Sequence, residues 1–309
     1  MKEYRANRTS EMTQSELDHQ KRVRELAGEC MVILENDGVL PLKETGKVAL
    51  YGNGARHTIK GGTGSGDVNA RNVVTIEQGL KDAGFTVMTE NWLNAYDEQI
   101  REEKAAHQKK IKKIAAELHK PEINVAFDYP YEDPDAPEIT EKEDAELAIY
   151  VLSRNSGEGK DRYCRKGDYL LTDREEANIR FVTEHYEKSM VLLNTGGIID
   201  TAFLRSLDNL NALVIVGQTG SEGGNIVADV LTGKIIPSGK LTDTWAKDYA
   251  DYPSSSEYSH NNGNVNDEYY KEDIFVGYRY FDTFGVEPAY CFGYGRSYTT
   301  FEMKADSVE

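Results

Sequence analysis

The alternation of apolar with amphipathic stretches limits the fold of this chain more than any other feature of its sequence. Four continuous apolar runs, each ending at glycines or in a polar loop, read as buried strands at 46–54, 145–153, 188–197 and 211–220. Stretches with helical spacing lie between these strands at 75–84 and 171–186 and after the last one at 221–233. Strands that are apolar along their whole length and alternate with helices indicate a mostly parallel sheet with helices on both faces. We therefore predict an α/β sandwich.

Three segments depart from this alternation. Residues 14–34 show helical spacing that ends in an apolar run. Residues 92–140 form a helical insertion, with a long polar helix over 92–119 followed by a proline-rich acidic linker. An aromatic-rich C-terminal segment ends in the period-2 alternation of a β-strand. The predicted divisions of the chain are an N-terminal extension over 1–19, the α/β domain over 20–250 and a C-terminal extension over 251–309.

Charge and composition exclude several classes of partner. The chain has 36 lysines and arginines against 53 acidic residues, a net charge of −17, which disfavours nucleic acid and anionic membrane surfaces as ligands. No apolar stretch approaches the roughly 18 residues that span a bilayer, and the N-terminus has no apolar signal region. The 3 cysteines are far apart and the 6 histidines lack metal-ligand spacing. We expect a cytoplasmic protein without a metal, a cofactor, a membrane or a nucleic-acid partner.

The loop "RNSGEGKDR" at 154–162 is the strongest candidate for a functional segment. It follows a predicted buried strand, and ligands of parallel α/β sheets bind beyond the carboxyl ends of the strands. Glu158 stands in it between two glycines, which permit positive φ and a close approach of the backbone to a neighbour. The charges of "KDR" and "RKGD" lie nearby and can tune a carboxyl pKa. The residues alone leave two interpretations, a solvated turn residue or a group presented to a ligand.

Two other kinds of site find little support in the motifs. The glycine-rich stretches "GNGARHTIKGG" and "GGTGSGDVN" contain neither the phosphate loop G-x-x-x-x-G-K-[ST] nor a clean G-x-G-x-x-G. The negative charge also fits a phosphate ligand poorly, so a nucleotide-binding domain is disfavoured. The chain has no G-x-S-x-G elbow, which disfavours a serine hydrolase.

Three long segments, in the same order, resemble the α/β-sandwich domain of glycoside hydrolase family 3, the β-glucosidase family. They are "RNSGEGKDR", "GQTGSEGGNIVADVLTGKIIPSGKLTDTW" and "VGYRYFDTFGVEPAYCFGYGRSYTTFEM". "ECMVILENDGVLPL" is similar to the segment by which the chain enters that domain. The resemblance runs from about residue 20 to the end and is interrupted by 92–140. It implies a retaining glycosidase in which a (β/α)8 barrel supplies an aspartate nucleophile and the α/β sandwich supplies the general acid/base.

The resemblance assigns roles to five residues. Glu158 matches the acid/base of the family loop, and desolvation in a closed pocket should raise its pKa. Asp161 and Arg162 match the same motif and are expected to order the loop, tune Glu158 or contact substrate. Ser65 and Asp67 lie on a glycine-rich loop that matches a family loop near the pocket, so they are either substrate contacts or structural turn residues. The implied substrates are β-linked oligosaccharides or aryl glucosides, and no cofactor is implied.

The sequence departs from the family in showing no barrel pattern and therefore no position for the nucleophile. It resembles the N-terminal portion of a family member with permuted domain order, in which the C-terminal segment leads toward a fibronectin-like domain. We expect the chain by itself to be nearly inactive and to need a (β/α)8 barrel in the same or a partner chain, docked on an apolar or aromatic surface. The alternative is a non-catalytic carbohydrate-binding or interaction module derived from this family.

Overall fold

Six strands form one sheet in the order β1-β6-β5-β4-β2-β3. The computed structural model describes residues 9–158, 162–257, 266–267, 269–302 and 304–307. Asp161 and residues 1–8 of the predicted N-terminal extension therefore lie outside the described residues. The strands are Val32–Asn36 (β1), Lys47–Tyr51 (β2), Thr86–Val87 (β3), Leu147–Arg154 (β4), Lys188–Thr195 (β5) and Ala212–Ile215 (β6).

The sheet is parallel except at one edge, as the sequence predicts. Strands β2 to β6 run in the same direction, and only β1 is antiparallel, to its neighbour β6. The pair β4 and β5 stays in register along its whole length, from Leu147 opposite Lys188 to Arg154 opposite Thr195. Every residue of β4 is buried, which explains its continuous apolar run. Because both strands end at the same level, the loops that follow them begin side by side.

Helices cover the two faces of the sheet and close a separate apolar core on each. The helices are Gln14–Leu26 (α1), Ile76–Asp82 (α2), Glu90–Leu118 (α3), Glu122–Asp128 (α4), Asp173–His185 (α5), Ala202–Arg205 (α6), Gly223–Leu231 (α7) and Tyr278–Phe284 (α8). On one face, Ile76 and Leu80 of α2 and Ile226 of α7 pack against alternate strand residues such as Ile149. On the other face, α5 packs against the intervening residues, such as Tyr150. The predicted α/β sandwich is confirmed.

The helix predicted over 14–34 ends earlier than its spacing suggests. Helix α1 stops at Leu26, and the chain then enters the edge strand β1, which the sequence did not predict. Gly28 lies in the turn between α1 and β1, where it packs closely against Ile235. A Cβ on Gly28 would lie 2.0 Å from Ile235 Cγ2. The pairing of Val32 with Ile215 of β6 provides tertiary contacts that override the local helical pattern.

The aromatic C-terminal segment also differs from the prediction. Helix α8 forms where a β-type segment was expected, between Gly277 at φ 59° and the left-handed Gly285 at φ 65°. In the described part of residues 251–307, the β-type pairing is limited to isolated bridges, such as Tyr290 with Trp245. The aromatic spacing therefore reflects single rings that pack on the domain. The ring centroids of Tyr290 and Trp245, for example, are 6.4 Å apart.

The insertion predicted over 92–140 contains the long helix α3 and the shorter α4. Ile111 and Ala115 of α3 pack against Val125 of α4 in a small cluster of their own. Near the base of the insertion, Tyr96 and Ile100 pack against Ala136. Within the described ranges, the structure contains no helix whose length and apolar character would allow it to cross a membrane.

Candidate active site

Two loops meet at the carboxyl edge of the sheet and pair with each other. The Glu158 loop (residues 155–158) follows β4, and the glycine loop (residues 61–67) belongs to the connection after β2. Thr63 N donates a hydrogen bond to Ser156 O at 3.2 Å, and Glu158 N donates to Thr63 O at 3.0 Å. This parallel bridge fixes the backbone of Glu158 to a segment more than 90 residues away in the sequence.

Glycines permit this contact between the two loops. A Cβ on Gly157 would lie 2.4 Å from Thr63 N, and one on Gly62 would lie 2.7 Å from Ser156 O. Gly64 has φ +86°, and its Cβ would lie 2.6 Å from Glu158 Cβ. Such distances are too short for side chains, so the loops pack this closely only because these positions are glycine. The glycine that precedes Glu158 is thus required by the close approach of the neighbouring loop.

Ser65 of the glycine loop holds the carboxylate of Glu158. Glu158 Oε2 accepts hydrogen bonds from Ser65 N and from Ser65 Oγ, both at 3.1 Å. These donors, the backbone N–H first, hold the pKa of Glu158 below its ordinary value of 4.5. The rise of this pKa expected in a closed pocket concerns a carboxylate enclosed by the barrel, and it stays a prediction. The described residues leave Glu158 exposed to water, and its two donors favour the ionised form.

The other predicted site residues lie apart from the Glu158 carboxylate. Asp67 is exposed and forms an ion pair with Lys60. Arg162 is mostly buried, and its guanidinium pairs with the Asp168 carboxylate and donates from Nη2 to Asp168 O at 3.1 Å. Of the predicted substrate contacts, the structure brings only Ser65 to Glu158. Arg162 instead anchors the segment that follows the loop, and Asp161 lies outside the described residues.

A buried ion pair, which the sequence reasoning missed, supports the start of the Glu158 loop. Arg154, the last residue of β4, donates to the two carboxylate oxygens of Glu175 at 2.8 and 2.5 Å and to Asp168 O at 3.0 Å. Glu175 also accepts from Thr172 N at 2.8 Å in the capping box that begins α5. The sequence signal was an arginine at the end of an otherwise apolar strand.

Asn194 joins the connections that follow several strands, and it too was missed. Its Oδ1 accepts from Ile59 N at 2.7 Å and from Ser153 Oγ at 2.9 Å. Its Nδ2 donates to Ile59 O at 3.0 Å and to Gly217 O at 2.6 Å. The side chain is fully buried, so all four bonds form away from water. A single amide in the apolar run "KSMVLLNT" was the signal that could have identified it.

A cleft of about 500 Å³ lies beside the Glu158 loop. Ser156 and Gly157 of this loop line it, together with the glycine turn after β5 and two pairs of tyrosines from two segments. The tyrosines are Tyr163, Tyr169, Tyr249 and Tyr252. Over the part of the chain that the structure describes, no cluster of three or more His, Cys, Asp or Glu side chains is arranged to hold a metal ion.

Comparison with known proteins identifies the family. Residues 31–278 match the model of the glycosyl hydrolase family 3 C-terminal domain. The chain is 37% identical to a β-glucosidase of Ruminococcus albus over 94% of its own length and 29% of that protein's. It is 34% identical to β-glucosidase A of Butyrivibrio fibrisolvens over 92% of the chain and 35% of the relative.

Solved structures show the same likeness. β-glucosidase 3B from Thermotoga neapolitana in complex with glucose matches with a TM-score of 0.76 and 41% identity, over 93% of this chain and 39% of that one. A β-glucosidase from Paenibacillus barengoltzii matches with a TM-score of 0.71 and 29% identity, over 94% of this chain and 30% of that one. The chain belongs to glycosyl hydrolase family 3 and corresponds to its C-terminal domain. It spans between 29% and 39% of the length of these relatives.

Proposed function

We propose that this chain supplies the general acid/base, Glu158, of a retaining β-glucosidase. The observation that carries the proposal is the placement of Glu158. Its carboxylate is exposed at the carboxyl edge of a parallel sheet, where such folds bind ligands, and it is held there by two donors of Ser65. An exposed turn residue without a role has no need of a neighbouring loop that fixes both its backbone and its carboxylate.

The nucleophile of this reaction is proposed to come from a (β/α)8 barrel in the same or a partner chain. A retaining glycosidase places its two carboxyl groups about 5–5.5 Å apart. In the first step, Glu158 protonates the glycosidic oxygen while the nucleophile attacks the sugar. In the second step, the Glu158 carboxylate takes a proton from the water that releases the sugar.

The two steps need opposite charge states of Glu158. The donors of Ser65 stabilise the ionised form, which is the base of the second step. Protonation for the first step requires the pKa to rise, and enclosure of the carboxylate by the barrel would have this effect because burial disfavours the charge. We propose β-linked glucosides as the substrate class, since the relatives are named β-glucosidases, and a cytoplasmic location.

The test is a chimera in which residues 1–309 replace the matching segment of the Thermotoga neapolitana β-glucosidase 3B. We expect the chimera to hydrolyse 4-nitrophenyl β-glucoside and the isolated chain to be nearly inactive. Glu158→Ala should lower the rate of the chimera by about 10²- to 10⁴-fold, the usual contribution of an acid/base group. Azide should restore part of the rate, because it attacks the glycosyl intermediate without needing a base.

The matched control is Glu102→Ala, which removes an exposed glutamate from helix α3, in the insertion. Its activity should equal that of the unmodified chimera. Full activity of the Glu158→Ala chimera, or a loss that azide leaves unchanged, would contradict the role of Glu158. That outcome would favour the alternative, a non-catalytic carbohydrate-binding or interaction module.

A further inference from the structure

We infer that the helical insertion is an arm through which one copy of this chain binds the next, head to tail. The insertion arm (residues 101–131) comprises the outer part of α3, helix α4 and the segment that follows α4. Thr89, just before α3, exchanges hydrogen bonds with Leu50 of β2. Further along α3, Asp97 accepts a hydrogen bond from Arg56, which lies past the carboxyl end of β2. Helix α3 therefore runs outward, and the insertion arm extends beyond the carboxyl edge of the sheet.

The insertion arm is basic, whereas the chain as a whole is acidic. Residues 104–120 hold six lysines against one glutamate, in a chain whose net charge is −17. Lys109 and Lys112 of α3 are exposed, and the ion pairs that the described residues form in the arm involve other side chains. Their charges are therefore available to a partner with an acidic surface. Other copies of this chain supply such a surface at the same concentration as the arm itself.

Helix α4 adds an apolar surface to the outer part of the arm. Val125 of α4 packs inward against α3. Ile123 and Phe127 are 65% and 81% exposed, and because they are four residues apart they lie on the same side of the helix. Lys120 Nζ lies 4.0 Å from Asp128 Oδ2, so a cation stands next to this side. The arm thus presents an exposed aromatic ring beside lysines, which fits a recess with apolar lining and acidic charge.

A recess of this kind, the amino-edge cleft, lies at the other edge of the sheet and has a volume of about 500 Å³. The first residues of β2, β4 and β5 line it, so it lies at the amino ends of these strands. Leu42 and Phe85 form part of its apolar lining. Its charged lining comprises three lysines and five carboxylates, those of Glu44, Glu143, Asp144, Glu146 and Glu187. Two of the lysines are paired with Asp144 and Glu146, which leaves three carboxylates against one lysine.

The positions of the arm and the amino-edge cleft determine the kind of assembly. A copy whose arm occupies the cleft of a second copy keeps its own cleft free for a third. Such a contact joins two different surfaces, so it is heterologous and builds an open chain or a ring instead of a two-fold dimer. The contact centres on one aromatic side chain and a few charges, and we expect a Kd of roughly 10–100 μM for an interface of this small size.

Two substitutions remove the two surfaces separately. Phe127→Ser deletes the exposed ring, which lies outside the small core between α3 and α4. Gly46→Lys places a cation in the amino-edge cleft, and because its Cβ would meet no atom within 4 Å the fold should be retained. The matched controls are Phe301→Ser, which deletes a ring that is 87% exposed in the C-terminal segment, and Gly66→Lys at the carboxyl edge, where an added Cβ also meets no atom within 4 Å.

Sedimentation velocity of the 309-residue chain, at concentrations on both sides of this Kd, measures the association. The average mass should rise from that of one chain to beyond that of two, and salt should reduce the rise because it screens exposed charges. Phe127→Ser and Gly46→Lys should each weaken association about tenfold, while the two controls should associate like the unmodified chain. An equimolar mixture of the Phe127→Ser and Gly46→Lys chains should form a dimer and nothing larger, because one variant supplies the cleft and the other supplies the arm.

Three results would overturn the inference: an unmodified chain that stays monomeric, a Phe127→Ser chain that associates as the unmodified chain does, or a mixture of the two variants that forms no dimer. A monomeric chain that binds phosphatidylserine vesicles through Phe127 would also overturn it and would assign the arm to an anionic membrane surface. The inference does not depend on the proposed reaction, since hydrolysis by the chimera and its loss in Glu158→Ala are measured separately. Either proposal can therefore fail without the other.

Discussion

The substitution Gly157→Ala tests whether contact with the glycine loop fixes the position of Glu158. The added Cβ would lie 2.4 Å from Thr63 N and 2.5 Å from Thr63 O. Both are backbone atoms that cannot rotate away as the end of a side chain can. The two loops must therefore separate.

The expected loss follows from the hydrogen bonds that the separation breaks. Two backbone bonds join the loops, Thr63 N to Ser156 O and Glu158 N to Thr63 O. Each contributes about 0.5–1.5 kcal/mol, so the free energy of unfolding should fall by about 1–3 kcal/mol. The loops lie at the edge of the sheet and open without unfolding the core, which keeps the loss near this sum. The Tm of a chain of this length should fall by roughly 2–5 °C.

Thermal unfolding by circular dichroism measures the loss, and amide hydrogen exchange at Thr63 and Glu158 shows whether it arises at the bridge. The matched control is Gly66→Ala in the same glycine loop, where an added Cβ meets no atom within 4 Å. We expect Gly157→Ala to be less stable than Gly66→Ala and to exchange faster at both amides. Equal Tm values with unchanged exchange would refute the argument that close packing of the loops requires glycine.

Three further predictions concern the groups around this edge of the sheet. Ser65→Ala should raise the pKa of Glu158 toward 4.5, while Ser65→Thr should not, as measured by a ¹³C NMR titration of the carboxyl. Because the pKa of Glu158 is lowered on folding, the contact with Ser65 stabilises the fold above pH 4.5, and this contribution is lost as pH falls through the folded-state pKa. An unchanged titration of Glu158 in Ser65→Ala would contradict the contact. Arg154→Met should lower the free energy of unfolding by about 3–5 kcal/mol in urea, since it leaves the Glu175 charge buried, and adding Glu175→Gln should recover much of the loss. Asn194→Leu should lower it by about 2–4 kcal/mol in the same assay, because backbone groups lose their partners, and a loss below 1 kcal/mol would be inconsistent with the four bonds.

The elements that could be predicted from sequence are those whose local pattern and tertiary role agree. Strand β4 was predicted at 145–153 and observed at Leu147–Arg154, because burial on both faces leaves no polar position along it. Helix α5 was predicted over 171–186 and observed at Asp173–His185, where the capping box of Thr172 and Glu175 fixes its start. Strand β1 was missed because only its antiparallel pairing with β6 distinguishes it from the end of a helix.

The candidate site was predictable as a set of residues but not as an arrangement. Glu158 and Ser65 were both identified, yet they are 93 positions apart in the sequence, and no local pattern shows that one holds the other. The lowered pKa of Glu158 in this chain could not be predicted for the same reason, since it depends on donors from another loop. Arg162 was placed near substrate by its motif, whereas its guanidinium is engaged with Asp168.

The four hydrogen bonds of Asn194 have a consequence for how this domain can diversify. They fasten the connections at Ile59 and Gly217 to the ends of the central strands. Beyond these fixed points, the outer parts of the loops can change in length and sequence without moving the sheet edge from which Glu158 projects. Segments outside this frame, and outside the bridge between Thr63 and the Glu158 loop, can therefore be exchanged while the inner frame is inherited unchanged.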